Sequence, residues 1–498
     1  MSGIRVTHSG FIAFFSNFIV LAITLLFTII VTRSLTVEDY GAWNLILGVL
    51  FYGLILDSII SFWTTRNIAR GIMIGRSSIF SSGIISFGGL VIYLVISLVT
   101  SSETGIDFSI IIFSSILIPL RYLQRATTSI NWGHRPEANS YSNIISESSK
   151  LMMGFLLIYL FDLQIIGIIL SFAIGYGVSI IFQAYWARAY LKEKINLQFM
   201  KESLRLSWVP MFGKAPDYIL RSEIVIFPLL IGSLTGLAFF SAAAVIASVV
   251  VFAGPISSSL YPKILSGDKT GYINENLRIM FYLAIPLIVS SIIFAKVGLQ
   301  ILNPTYESVS NIVLFLSLKT FLFVLTGLFC QLVWGTENID VNKNLNYLQY
   351  IKSRLFSIPL LLFIQNTAYI LSFIAIIIIM INDQASENEI LLSWSILGFL
   401  AQIPMTIFLF NLVRKKFRIN IEYFTLLKYS LVSVCVFTIF NWILEEYFVY
   451  TYDLLSIIPT VLPIILLAFM VYFMITYLTD KKTKNLVGLI LDNLKKKS

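Results

Sequence analysis

Long apolar stretches without a single charge decide what this chain can fold into. Residues 11–32, 355–381 and 455–477 each run past twenty residues with no Asp, Glu, Lys or Arg, and roughly twenty apolar residues in a helix cross a bilayer. The strands of a membrane barrel would alternate polar and apolar residues instead. In hydrocarbon an unclosed segment satisfies its backbone only as a helix, so the expected class is all-α integral membrane protein. Composition agrees, because no soluble domain of 498 residues is 57% hydrophobic and only 12% charged.

Fourteen spans are expected, at 11–32, 41–63, 78–100, 108–130, 142–161, 164–187, 207–231, 235–261, 277–302, 306–334, 355–381, 390–413, 424–444 and 455–477. The first has no small-residue cleavage site and is taken as a retained span. No loop is long enough for a soluble domain. Those at 188–206 and 335–354 have room for a short surface helix, and the basic tail at 479–498 has an apolar patch suited to an anionic leaflet.

The formal net charge is +9, but its cations crowd into short loops and report topology rather than nucleic-acid binding. Loops after even-numbered spans carry Arg66, Arg70 and Arg76, then Arg188, Lys192 and Lys194, then Arg414, Lys415 and Lys416. Loops after odd-numbered spans carry one cation, Arg33, among carboxylates such as Glu38, Asp39, Glu387 and Glu389. This bias puts both termini in the cytoplasm of a cell (plasma or inner) membrane protein. It also supports the span count, since one missed helix would reverse every later loop.

Ser34-Leu35-Thr36 after the first span matches Ser233-Leu234-Thr235 after the seventh, as if six spans were repeated in the same orientation. The expected organisation is a six-helix lobe at 1–206, a second at 207–423, two additional helices at 424–478 and the cytoplasmic tail at 479–498.

The seventh span breaks the rules for a membrane helix. Lys214, Asp217 and Arg221 share one face at i, i+3 and i+7, and Pro210, Pro216 and Pro228 remove backbone donors. Such costs are tolerated where a helix lines protein or a water-filled pathway. A helix kinked for packing, with its charges paired to a neighbour, is the alternative. Other charges within the spans are Asp57, Arg121, Arg125, Glu147, Lys150, Glu223, Lys296, Lys319 and Lys428. With the orientation above, Asp57, Arg121, Arg125, Glu147, Lys150, Lys214, Asp217 and Arg221 fall in the cytoplasmic half, and Arg33 guards the outer end of the first span. A cationic cavity of Arg121, Arg125, Lys150, Lys214 and Arg221, with Arg33 at the exit, suits an anion entering from inside, because the arginine fork binds two phosphate oxygens at once. Snorkelling at helix ends accounts equally for Arg125 and better for Lys296 and Lys428. Glu147 and Lys150 also read as a local pair, and Glu223 lies off the charged face.

The run Arg33-Ser34-Leu35 with Glu38-Asp39-Tyr40-Gly41 resembles the R-x-L-x-x-x-x-Y-G element of the polysaccharide flippases, within the multidrug/oligosaccharidyl-lipid/polysaccharide (MOP) exporter superfamily. Pro210, the Lys214–Arg221 face, Gly232-Ser233-Leu234 and Tyr261-Pro262-Lys263 are similar to its seventh and eighth helices, and Ile285-Pro286 with Leu302-Asn303-Pro304-Thr305-Tyr306 to its ninth span and following turn. The resemblance implies two six-helix lobes in a V, a central cavity, and a groove for a polyprenyl tail formed by the two additional helices. The middle of the first span departs from the family in carrying no cation.

The function expected from this is a flippase that moves a polyprenyl-(pyro)phosphate-linked oligosaccharide from the cytoplasmic to the outer leaflet without altering it, for surface polysaccharide or glycoprotein glycan assembly. Its partners would be that lipid-linked oligosaccharide, membrane lipids and glycan-assembly enzymes. A multidrug–cation antiporter of the same superfamily would share the fold, usually with twelve spans and an acid-lined site. A polyprenyl-dependent membrane glycosyltransferase would place an acidic pair in a large external loop, whereas Glu38-Asp39 sits in a short one. No cofactor is expected. Cys330, Cys435, His8 and His134 lie apart in sequence, without metal-ligand or triad spacing, and no phosphate-binding G-x-x-x-x-G-K-[ST] occurs. The membrane potential would then drive an anion outward, with Asp217 and Asp57 as candidate coupling carboxylates.

Overall fold

The computed structural model describes residues 6–254, 271–336, 351–417, 419, 422–447, 454–480 and 484. The Tyr261-Pro262-Lys263 motif, most of the 335–354 loop and nearly all of the basic tail lie outside them.

The described residues form helices joined by short turns and loops, with no strand among them. The first unit contains α1 (Val6–Ser34), α2 (Val37–Gly53), α3 (Asp57–Ala69), α4 (Gly75–Thr104), α5 (Phe108–Ser114), α6 (Leu117–His134), α7 (Pro136–Gly154), α8 (Gln164–Ala187), α9 (Leu197–Arg205), α10 (Trp208–Arg221) and α11 (Glu223–Ile231). After α12 (Leu234–Ala247) come α13 (Gly271–Ile293), α14 (Ala295–Leu302), α15 (Ser310–Trp334), α16 (Arg354–Asn382), α17 (Glu387–Phe417), α18 (Tyr423–Tyr447) and α19 (Leu454–Thr479).

Eleven helical stretches among these residues are long and apolar enough to cross a membrane, and α2 with α3, bent by 59°, makes a twelfth. The other two expected spans are α7, which continues into a π-helical turn at Phe155–Leu160, and α10 with α11. Hydropathy alone misses both, because they carry the charges Glu147, Lys150, Lys214, Asp217, Arg221 and Glu223.

Local chemistry sets the boundaries. Thr36 accepts the Asp39 N–H at 3.1 Å to start α2, and Gly232, at φ +71°, ends α11 in the left-handed conformation. The second span breaks where Leu54, Ile55 and Asp57 donate to carbonyls three residues back, at 3.0–3.2 Å, and leave the Gly53 carbonyl without its helical donor. In the seventh span Pro216 and Pro228 lie inside α10 and α11, and the break falls between them at Ser222. Asn366 of α16 donates to the Pro216 carbonyl at 2.8 Å.

The chain forms two compact units, Met1–Ser241 with Glu337–Leu397, and Ala242–Thr336 with Gly398–Ser498. The seventh span thus packs in the same unit as the first six. There Gly41 meets the start of α12 so closely that a Cβ would lie 2.0 Å from the Leu234 carbonyl oxygen, so only glycine fits. In the second unit α18 and α19 pack beside α13 around Phe294, Val297, Phe437, Leu444 and Tyr472. Polar side chains stitch this packing: Tyr472 donates to the Tyr282 carbonyl at 3.2 Å, and Tyr429 donates to Asp480 at 2.8 Å.

Candidate functional site

The bend between α2 and α3 is where the polar groups of the first unit converge. Its released Gly53 carbonyl accepts the Tyr122 hydroxyl of α6 at 2.9 Å. Tyr52 of α2 donates to the Tyr218 carbonyl of α10 at 2.8 Å, and Tyr218 donates back to the Leu54 carbonyl at 3.3 Å. Two tyrosines therefore tie the broken second span to the charged half of the seventh. Gly89 of α4 allows this closeness, since a Cβ there would come within 2.6 Å of the Tyr122 hydroxyl.

Asp57 opens α3 at this bend and is 9% exposed. One carboxylate oxygen accepts from Ser61 at 3.3 Å; the other is buried without a partner. Arg125, Arg121 and Lys214 impose positive fields on it, Arg125 the strongest. A carboxylate out of water costs several kcal/mol unless compensated, and these cations offset part of that cost through space.

The two arginines of α6 are held differently. Arg121 donates to Gln124, a turn away on its own helix, and lies over the Tyr176 ring of α8, 4.9 Å from its centre. Gln124 donates to Ser179 at 2.9 Å, and Ser179 pairs with Ser142 of α7 at 2.9 Å. A polar chain across three helices thus fixes Arg121. The Arg125 guanidinium makes no hydrogen bond or ion pair among the described residues and is exposed at the bend. It is the freest donor fork of the group.

Lys150 on α7 is 7% exposed and paired with Glu147, while Thr24 of α1 donates to Glu147 at 3.2 Å. Its ammonium also lies 5.0 Å from the Phe27 ring centre and 4.6 Å from that of Phe172. The expected local pair is present, and Lys150 still contributes to the field at Arg121. Lys214 and Asp217 form a 3.4 Å pair that is about half exposed. Arg221 lies over Phe51, 4.7 Å from the ring centre, and that ring packs at a 41° tilt against Tyr218, 4.6 Å between centres.

The structure therefore brings Asp57, Arg121, Arg125 and Lys214 within reach of one another's fields at the bend, with Asp217 and Arg221 on the same helix as Lys214 and Lys150 set back on α7, near Arg121. Arg33 is not with them: it ends α1, and the whole of α2 separates it from Asp57, about 25 Å of helix. Glu223 also stands apart, accepting from Tyr369 and from Trp394 at 2.9 Å. Sequence reasoning missed Tyr52, Tyr122, Tyr176, Tyr218 and Gln124, which show no motif and matter only through contacts between distant helices.

Five cations against Asp57, Asp217 and Glu147, the partner of Lys150, leave this cluster positive. With Lys150 and Lys214 paired locally, Arg121 and Arg125 are balanced mainly by the field of Asp57, while Arg221 lies over Phe51. Planar donor forks on a rigid aromatic and hydroxyl frame suit an anion with several oxygens.

A polytopic helical membrane protein with a cationic cluster inside one unit is thus defined. No protein-family model and no curated protein sequence matches the chain. Solved structures do. An inward-facing multidrug resistance MATE family transporter of the MOP superfamily is 14% identical, with a TM-score of 0.59 over 80% of this chain and 94% of its own. The lipid II flippase MurJ, in an inward closed conformation, is 15% identical, with a TM-score of 0.56 over 97% of this chain and all of its own. A MATE protein in complex with MaL6 gives 12% and 0.53, over 83% and 96%. The chain has the fold of the MOP superfamily transporters.

Proposed function

We propose that this chain is a flippase that moves a polyprenyl-(pyro)phosphate-linked oligosaccharide from the cytoplasmic to the outer leaflet, unchanged chemically. The observation that carries this is the Arg121–Arg125 pair beside a buried aspartate with an unused oxygen. While no cargo is bound, Asp57 compensates the two guanidinium charges. An arriving phosphate takes over that role and binds both forks. The likeness to a lipid flippase over almost the whole chain supports the same reading, because it accounts for more of the length than the multidrug transporter does. In this reading α18 and α19, packed on α13, provide the surface for the polyprenyl tail, and both termini lie in the cytoplasm.

An anionic headgroup leaving a negative interior runs downhill by about 2.3 kcal/mol per charge per 100 mV. Asp57 is a better coupling carboxylate than Asp217, which is half exposed and occupied by Lys214. A multidrug–cation antiporter is the second reading, favoured by the MATE likeness and by the burial of Asp57.

The test is deletion of the gene in its own cell, followed by analysis of lipid-linked sugars. Accumulation of cytoplasm-facing lipid-linked oligosaccharide is expected. Unchanged surface glycan and unchanged intermediates, with a raised sensitivity to cationic drugs, would establish the antiporter reading instead.

A further inference from the structure

The short helix α9, between the sixth and seventh spans, has two unlike faces. Phe199 and Ser203, four residues apart, turn inward and are buried at 5% and 2%, against α3 and α4. The opposite face carries Leu197, Lys201, Leu204 and Arg205 at i, i+4, i+7 and i+8, one stripe of the helix. Leu197 and Leu204 are 58% and 44% exposed, and Lys201 and Arg205 are exposed with no ion-pair partner among the described residues. Lys192 and Lys194 precede the helix in the same state.

This is a fixed platform. Asn196 caps α9 by accepting the Gln198 N–H at 2.9 Å, and its own N–H donates to Ser77 of α4 at 2.8 Å. Just before α9, the Tyr190 backbone rests on Gly75, where a Cβ would lie 2.7 Å from the Tyr190 carbonyl oxygen.

Leucines interleaved with unpaired cations on one outward face have two physical needs, a place to bury apolar surface and a place to find negative charge. A membrane surface rich in anionic headgroups meets both at the acyl–headgroup boundary. A soluble acidic partner would meet the charge but leave the leucines at the bilayer edge uncovered. We infer that the Leu197–Lys201–Leu204–Arg205 face of α9 is a binding surface for anionic phospholipid headgroups. Only Leu206 and Ser207 separate α9 from α10, which carries Lys214, Asp217 and Arg221. Lipid held on α9 therefore anchors the lower end of the helix that bears the cationic cluster.

Native mass spectrometry of the full-length protein in detergent, with phosphatidylglycerol and phosphatidylcholine added in equal amounts, tests this. The wild type is expected to retain phosphatidylglycerol preferentially, by about fivefold for each contributing cation. K201Q/R205Q should lose most of that preference, and the charge-keeping K201R/R205K should keep it. L197S/L204S should lower retention of both lipids. A preference that survives K201Q/R205Q, or that is lost equally in K201R/R205K, overturns the assignment. So does a wild type that shows none. Because the readout is lipid retention, it stands whether or not the protein proves to be a flippase.

Discussion

Glu223 and Asp57 are both buried carboxylates of the first unit, 7% and 9% exposed, yet their surroundings differ in kind. Glu223 accepts from a tyrosine hydroxyl and an indole N–H, and the indole of Trp394 is stacked on Phe240 and Phe227. Its partners are neutral donors held rigidly in packed aromatics. Asp57 has an oxygen with no donor and is compensated only in part, by cations that do not touch it. A buried group with fixed partners braces helices; one balanced only by field strength can exchange its partners for a ligand. That difference separates structure from transport within one unit.

The largest effect should come from removing the braced carboxylate. Glu223→Leu leaves the Tyr369 and Trp394 donors unsatisfied, at about 1–3 kcal/mol each, and the expected result is a marked fall in thermal stability of the purified protein. Asp57→Asn, by contrast, should leave the melting temperature nearly unchanged. Equal losses of stability in the two variants would erase the distinction drawn above.

Next in size are the arginines. Replacing Arg121 or Arg125 by Gln removes a charged donor worth about 1.5–3 kcal/mol, so transport should fall by about ten- to a hundredfold at normal abundance. Arg121, held by Gln124 and Tyr176, should also lose some stability, whereas Arg125 should not. Stability measured beside transport for the two variants checks this.

A loss of stability without any change at the charged cluster is expected at Gly41, where even the Cβ of a valine would collide with the Leu234 carbonyl. Overpacking of this kind costs about 1–3 kcal/mol, read as a lower melting temperature. The smallest is Lys214→Gln: its pair with Asp217 is half exposed and worth about 0–1 kcal/mol of stability. A stability loss there as large as at Glu223 would mean the seventh-span charges are structural.

Much of the fold was legible because hydropathy is local. Long apolar runs with few or no charges give twelve of the spans, and the alternation of loop charge supports the remaining two, α7 and α10–α11, which hydropathy alone rejects. Less legible were the breaks. The second span reads as one helix at 41–63, but it bends at Leu54–Leu56, where no proline signals it; the released Gly53 carbonyl is stabilised by Tyr122, sixty-nine residues away. In the seventh span the prolines announce a break that falls instead at Ser222. Of the candidate site, the charges could be read from their rarity in hydrocarbon. Their division into a held Arg121 and a free Arg125, and the separation of Arg33, depend on contacts between helices that periodicity does not record.

Flipping of a fluorescent polyprenyl-pyrophosphate oligosaccharide, by purified protein in sealed proteoliposomes under an imposed potential, tests the central claim most directly. The account predicts transport by the wild type and by Lys214→Gln at reduced rate, near-complete loss in R121Q/R125Q, and acceleration by a potential that draws anions across. Undiminished transport by R121Q/R125Q at equal reconstitution would contradict it.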